Sequence, residues 1–336
     1  MVKTAQVGVL GDGGWGTSLS LVSARRGNDT TLWSAFPEYA ETLRGDRENK
    51  KFLPGVKIPD SIHITSDLAE VISSSEIIIL AVPSLYLRNV LFKLRSYDLS
   101  NKLLVSVAKG IETKTLARPS EIIYSVLGKV NLAVLSGPSH AEEVARGVPT
   151  LVVAGSEKPA LSLKVQEALH GHMFRIYIQN DVVGIELGGS LKNVIAIGAG
   201  ICDGLKLGSN TKAALITRGL FELTQIGIRM GANPNTFFGL SGLGDLITTC
   251  ISQYGRNLKV GRELGEGKKL SDILKGMEMV AEGVETARCA YQLAQKHRVT
   301  AAIITEIYRI LFEDKDPRTG LLDLMSREAH EELKQY

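Results

Sequence analysis

Lys192 and Asn193 interrupt an apolar stretch that runs from Glu186 through Gly188-Gly189-Ser190-Leu191 to Val194-Ile195-Ala196-Ile197-Gly198-Ala199-Gly200. A lysine in such surroundings is costly to bury without a partner or a task, because desolvation disfavours its ammonium and lowers its pKa. That lowering suits a proton donor near neutral pH. Downstream, Leu240-Ser241-Gly242-Leu243-Gly244-Asp245 supplies a carboxylate among glycines and aliphatics, able to hold Lys192 by a charge-assisted hydrogen bond. Gly255-Arg256-Asn257 then offers a planar guanidinium fork that suits a phosphate, with an amide donor beside it. Lys109-Gly110 and Ser136-Gly137-Pro138-Ser139-His140-Ala141 each follow a strand pattern, where open α/β sheets bind ligands. Plainer readings stay open for each: an ion pair for Lys192, solvated side chains for Lys109 and Arg256, a helix cap for Asp245 and a chain reversal at 136–141.

A different chemistry is written near the N-terminus. Gly11-Asp12-Gly13-Gly14-Trp15-Gly16 follows a strand pattern at 6–10 and precedes a helix pattern at 17–26. Gly11, Gly13 and Gly16 give the G-x-G-x-x-G spacing of a dinucleotide cradle: a tight turn, close approach to a pyrophosphate, and close packing of helix on strand. Free amides at the helix start favour the negative charge. Asp12 must turn its carboxylate away from that charge. The second strand should end on an acid if NAD is preferred, yet Ser34-Ala35-Phe36 contains neither an acid nor an arginine, and the reading leans slightly toward NADP.

The elements that must hold these groups alternate in the first half. Runs at 6–10, 30–33, 76–82, 103–108, 131–135, 150–154 and 174–178 read as strands, with helix patterns at 17–26, 85–94 and 160–169 between several of them. That grammar predicts βαβ units and a largely parallel sheet. From about 180 only helical periodicity continues, at 185–203, 210–230, 271–274, 286–295, 301–312 and 320–334. The expectation is an α/β fold: a Rossmann-type dinucleotide-binding domain over 1–179, then an all-α substrate-binding and catalytic domain over 180–336, with the ligands in a cleft between them.

Bulk properties narrow the class of function. With 39 basic against 36 acidic residues the net charge is +3, so a nucleic-acid partner is not expected. Cys202, Cys250 and Cys289 are odd in number and far apart, which fits a reducing compartment and gives no zinc spacing. No metal is expected. The opening Met1-Val2-Lys3-Thr4-Ala5 leads directly into a strand pattern, and the apolar runs near 77–82 and 194–201 are short of the roughly 20 residues of a bilayer span. A cytoplasmic protein without integral membrane association is expected.

Taken in order, Gly11 to Gly16, Ala108-Lys109-Gly110, Ser136 to Ser139, Gly188 to Gly200, Gly242-Leu243-Gly244-Asp245, Gly255-Arg256-Asn257 and Ala281-Glu282-Gly283 resemble the bacterial NAD(P)-dependent glycerol-3-phosphate dehydrogenases over nearly the whole chain. The resemblance implies hydride exchange between NAD(P)H and the dihydroxyacetone phosphate/glycerol 3-phosphate pair, with Lys192 as proton donor and Lys109 and Asp245 beside it. It implies a substrate site of Lys109, Gly137, Ser139, Lys192, Asn193, Asp245, Thr249, Gly255, Arg256 and Asn257. It implies cofactor contacts at Gly14, Trp15, Ala35, Lys109, Ala141, Arg256, Val280 and Glu282, besides Gly11, Gly13 and Gly16. A homodimer supplying phospholipid precursor is implied as well. Gly255 stands where many members have serine, and Ala35 where some have histidine. Two rivals remain: a dehydrogenase of a hydroxy acid or sugar acid, and a non-catalytic NAD(P)H sensor.

Overall fold

Short aliphatic runs pair into one eight-stranded sheet: β1 (Gln6–Leu10), β2 (Asp29–Trp33), β3 (Ile62–Thr65), β4 (Ile77–Leu80), β5 (Leu103–Ser106), β6 (Asn131–Ser136), β7 (Thr150–Gly155) and β8 (Phe174–Gln179). In this computed structural model, residues 4–252, 254–277, 281–328 and 331–332 are described. The sheet order is β3-β2-β1-β4-β5-β6-β7-β8, parallel throughout except where β6 meets β7. Strand β4 is buried at all four positions, as a central parallel strand covered on both faces must be. The order reverses between β1 and β4, the switch point at which such sheets hold ligands outside the carboxyl ends of their strands.

All the strands read from the sequence form, with ends shifted by up to about two residues, within the usual uncertainty of such boundaries. β3 was not expected. It is a four-residue edge strand, Ile-His-Ile-Thr, too short to stand out from the turns around it. Helices Pro37–Asp46, Leu68–Ser74, Pro119–Leu127, Asp245–Ile251 and Arg256–Gly265 also lie beyond the sequence reading. At the C-terminus, the helix expected over 320–334 runs from Pro317 to Met325, and the end of that expectation lies outside the described residues.

The chain divides into two compact units, Met1–Lys109 with Pro119–Val182, and Gly110–Arg118 with Val183–Tyr336. The first carries the sheet. Described residues of the second form only helices and turns. Although it lies between β5 and β6 in the chain, segment 110–118 belongs to the helical unit: Ile111 enters its core, and Arg118 pairs with buried Glu186 at 2.5 Å. The backbone of that unit is the helix Val182–Gly204, apolar and long enough by length and composition to cross a bilayer. Its apolar window is 89% buried inside the protein, which makes it a core helix. Small residues let its neighbours press close, since a Cβ on Gly261 would collide with the Ile197 carbonyl and one on Gly200 with that of Leu258.

The helix Ala302–Phe312 has no side-chain cap of its own. Glu222, from the helix Gly208–Arg229, supplies one by accepting from the backbone amides of Ile303 at 2.8 Å and Ile304 at 3.0 Å. Burial pushes its carboxyl up from 4.5 to about 7, with the two amides pulling the other way. A folded-state pKa above the unfolded one means the folded state holds the proton more tightly. Stability is therefore lost as pH rises from 4.5 through about 7, by roughly 3 kcal/mol once Glu222 is ionised. Urea unfolding at about pH 5 and about pH 8 should show this slope in the wild type and a flattened one in Glu222→Gln, which has no proton to lose. Equal slopes would remove Glu222 as the cause.

Candidate active site and family

The glycine loop begins at the carboxyl end of β1, beside the switch point. Gly11 adopts φ 118°, open to glycine and strained for other residues, and a Cβ on Gly16 would strike the Gly11 carbonyl oxygen. These two glycines are fixed by the turn itself. Gly13 is different: nothing lies within 4 Å of where its Cβ would be, so packing does not require glycine there and the backbone stays open to close approach. Gly13 also begins the helix Gly14–Arg25 without any side-chain cap, leaving its first amides for an anion. The Trp15 indole N–H is buried with no partner among the described residues, one more donor awaiting an acceptor. Ala141 packs against this turn, its carbonyl accepting from Ser18 Oγ at 2.8 Å, and Ala35 lies exposed just past β2. These residues fit a dinucleotide.

Elsewhere in the same unit, Lys109 Nζ donates to the Gly137 carbonyl at 3.0 Å, and Ser139 Oγ donates to that same oxygen at 2.9 Å. Gly137 has φ 139°, and a Cβ there would crowd Val152. So the two motifs expected at strand ends meet: the turn after β6 holds the ammonium that follows β5. Lys109 and Ser139 are both half-buried.

In the helical unit, Lys192 is 6% exposed and Asp245 1%. Lys192 Nζ donates to Asp245 Oδ1 at 2.6 Å and to Thr249 Oγ1 at 2.5 Å. Thr249 Oγ1 in turn donates to the Asp245 carbonyl at 2.7 Å, which spends its proton and leaves its lone pair toward the lysine. Local sequence explains how the carboxylate gets there. Gly188 lies one helical turn before Lys192 on the same face. A Cβ on it would come within 2.6 Å of the Ser241 carbonyl, so its absence admits the incoming chain. Leu240–Gly244 arrives as a π-helical turn, with Gly242 against the Phe237 carbonyl, and hands directly to the helix Asp245–Ile251. Such π turns recur at functional sites.

Asn257, 9% exposed, accepts from the Gly283 amide at 3.0 Å, tying the start of helix Arg256–Gly265 to that of helix Glu282–Lys296. A Cβ on Gly283 would also meet the Asn193 carbonyl, at 2.8 Å, so Asn193, Asn257 and Glu282 fall into one neighbourhood. Arg256 is exposed at the first position of its helix, whose N-cap, Gly255, supplies no side-chain bond. Val280 lies outside the described residues. Burial pushes the Cys250 thiol up to about 12, so beside Lys192 it is a thiol and not a nucleophilic thiolate. Sequence reasoning passed over Asn49 and Ser34, both buried, which fix the glycine loop from a distance; Asn49 sits in the charged run Asp46-Arg47-Glu48-Asn49-Lys50-Lys51, where nothing local marks it for burial.

Comparison with known proteins identifies the family. The description NAD-dependent glycerol-3-phosphate dehydrogenase N-terminus matches residues 6–162, and the corresponding C-terminus description matches residues 181–321. A protein of Pelodictyon phaeoclathratiforme named Glycerol-3-phosphate dehydrogenase (NAD(P)+) is 46% identical, covering 97% of this chain and 99% of its own length. One of Carboxydothermus hydrogenoformans with the same name is 48% identical, covering 98% of each chain. The crystal structure of glycerol-3-phosphate dehydrogenase from Coxiella burnetii superposes with a TM-score of 0.92 at 36% identity, over 96% of this chain and 99% of that one. With both of its units matched along almost their whole length, this chain belongs to the NAD-dependent glycerol-3-phosphate dehydrogenase family.

Proposed function

We propose that the chain interconverts sn-glycerol 3-phosphate and dihydroxyacetone phosphate with NAD(P)H, supplying glycerol 3-phosphate for phospholipid synthesis. The observation that carries this reading is the buried Lys192 ammonium, held at once by Asp245 and Thr249 in a chain of this family. The reduced nicotinamide, when bound, supplies the hydride to the C2 carbonyl. Lys192 Nζ gives a proton to the carbonyl oxygen as it becomes an alkoxide. Asp245 Oδ1 and Thr249 Oγ1 hold Nζ in one place, so no reorganisation is needed at the moment of transfer. Arg256, the open amides of its helix and Asn257 Nδ2 bind the phosphate. Lys109, steadied by Gly137, with Ser139 beside it, contacts substrate and cofactor. Asn193 lines the substrate site, and Glu282 and Ala141 the cofactor site. The missing acid after β2 by itself favours NADP. On the family resemblance alone, the protein works as a cytoplasmic homodimer.

Dihydroxyacetone phosphate should consume NADH or NADPH rapidly, while hydroxy acids and sugar acids without a phosphate should not. Tight nicotinamide binding without any substrate-dependent loss of its absorbance would instead identify a sensor.

Lys192→Ala should lower kcat by at least about 100-fold, the scale of a lost general acid. Because the glycine loop lies in the other unit, affinity for the cofactor should stay near that of the wild type. Turnover within a few-fold of wild type would take Lys192 out of the chemistry.

Arg256→Lys keeps the charge but loses the fork, so KM for dihydroxyacetone phosphate should rise about tenfold with a smaller change in kcat. An unchanged KM would place the phosphate elsewhere.

A further inference from the structure

In a sheet of this kind, discrimination between the two nicotinamide dinucleotides falls to whatever stands at the carboxyl end of the second strand, where the adenosine ribose lies. β2 ends at Trp33 and is followed by Ser34-Ala35-Phe36, with no acid. A carboxylate is nevertheless present at that spot. Ser34 Oγ donates to Asp12 Oδ2 at 2.5 Å, which brings the side chain of the second loop residue across to the end of the neighbouring strand. Of the glycine-loop residues, Asp12 is the only one with an acidic side chain.

Ser34 holds the carboxylate of Asp12, and Asn49 holds its backbone. Asn49 Nδ2 donates to the Asp12 backbone carbonyl at 2.7 Å and to Thr17 Oγ1 at 2.7 Å, while Asn49 Oδ1 accepts from Tyr39 Oη at 2.7 Å. Asn49 is fully buried, so this clamp is shielded from water. Ser34 Oγ also accepts from the Phe36 amide at 3.2 Å, which fixes the hydroxyl that orients the acid. Asp12 itself is half-buried, and Ser34 is its only side-chain donor among the described residues. A carboxylate has about four lone-pair sites, so beside Ser34 and its own backbone amide it keeps capacity to accept from a ligand.

We infer that Asp12 is the specificity-determining residue for the adenosine ribose: displaced from the strand into the loop, its carboxylate accepts from the ribose hydroxyls and makes this chain prefer NAD(H) to NADP(H). The inference rests on the dinucleotide reading above and reverses the lean toward NADP that the bare strand end suggests. A 2′-phosphate would replace a donated hydrogen bond with two negative groups in contact, in a partly desolvated place where the repulsion is least screened. Among the described residues, Lys51 is a cation near enough to act on Asp12. Its ammonium is exposed and lies 5.0 Å over the Phe52 ring. Solvent screens such a charge, so it does not offset the buried acid.

Isothermal titration calorimetry of NADH and NADPH against wild type, Asp12→Asn and Ser34→Ala, with melting temperatures as a check on folding, tests this without recourse to turnover. Asparagine keeps the shape and can still accept from Ser34, so only the charge is removed. The wild type should bind NADH at least about tenfold more tightly than NADPH, the scale of one charge-assisted hydrogen bond gained or lost. Asp12→Asn should shrink that ratio about tenfold, mainly by tightening NADPH, and Ser34→Ala should shrink it less by freeing the carboxylate. A wild type that prefers NADPH, or a ratio within twofold of wild type in Asp12→Asn, overturns the role of Asp12 while leaving the dinucleotide site intact. A folded wild type that binds neither dinucleotide overturns both.

Discussion

Burying the Lys192 ammonium with 6% exposure is the constraint that the helical unit is arranged around. An ammonium taken out of water costs several kcal/mol, and removing one partner of such a pair typically costs about 3–5 kcal/mol. A well-packed aliphatic side chain at this position would be easier to accommodate, since Leu191, Val194, Leu246 and Cys250 nearby in sequence to Lys192 or Asp245 are all buried. Stability alone gives no reason for a lysine here. What the pair provides is an amine of fixed position, with a carboxylate to balance its charge and a hydroxyl to complete its hydrogen bonds. Gly188, Gly242 and the π turn are the steric conditions for that arrangement, because each lets backbone approach where a side chain would hold it off.

In the sheet unit the governing constraint is open space rather than charge. Gly11 and Gly16 are required by the turn, and Gly13 is required only if something else comes close. The same division separates packing from function along the whole loop. Asn49, Thr17 and Ser34 hold its backbone and its acid in place, whereas the helix amides and the Trp15 N–H remain without protein partners among the described residues. A preorganised loop with unsatisfied donors loses little entropy on receiving an anion.

Much of this was legible in the sequence because it is local. The alternation of aliphatic runs with helical patterns located the strands, and glycine spacing after the first of them located the loop. The buried pair was foreseeable too, since Lys192 and Asp245 are the charges that interrupt apolar stretches. What escaped depends on long-range approach. Strand β3 has too few residues to show a period, and its pairing with β2 exists only in the folded sheet. Segment 110–118 sits amid strands in the chain yet packs with helices, which no local pattern records. Asp12 was read as an anion to be turned away from a pyrophosphate; that it would be caught by Ser34, 22 residues on, requires the adjacency of β1 and β2.

Gly255 shows how a departure from a family pattern can be read physically. Serine there would offer a hydroxyl, but serine at an N-cap normally accepts from the amides of its own helix. With glycine the helix Arg256–Gly265 loses only a few tenths of a kcal/mol of capping, while its first amides stay available to an anion. The position is also tight: an added Cβ would lie 3.2 Å from Leu258 Cβ and from the Ser252 carbonyl, and 3.3 Å from that of Thr249. Thr249 is the residue whose hydroxyl supports Lys192, so a side chain at 255 would press on the same short helix that positions the amine. Glycine removes one donor from the proposed phosphate site and, by the same step, relieves crowding on the residue that holds the proton donor.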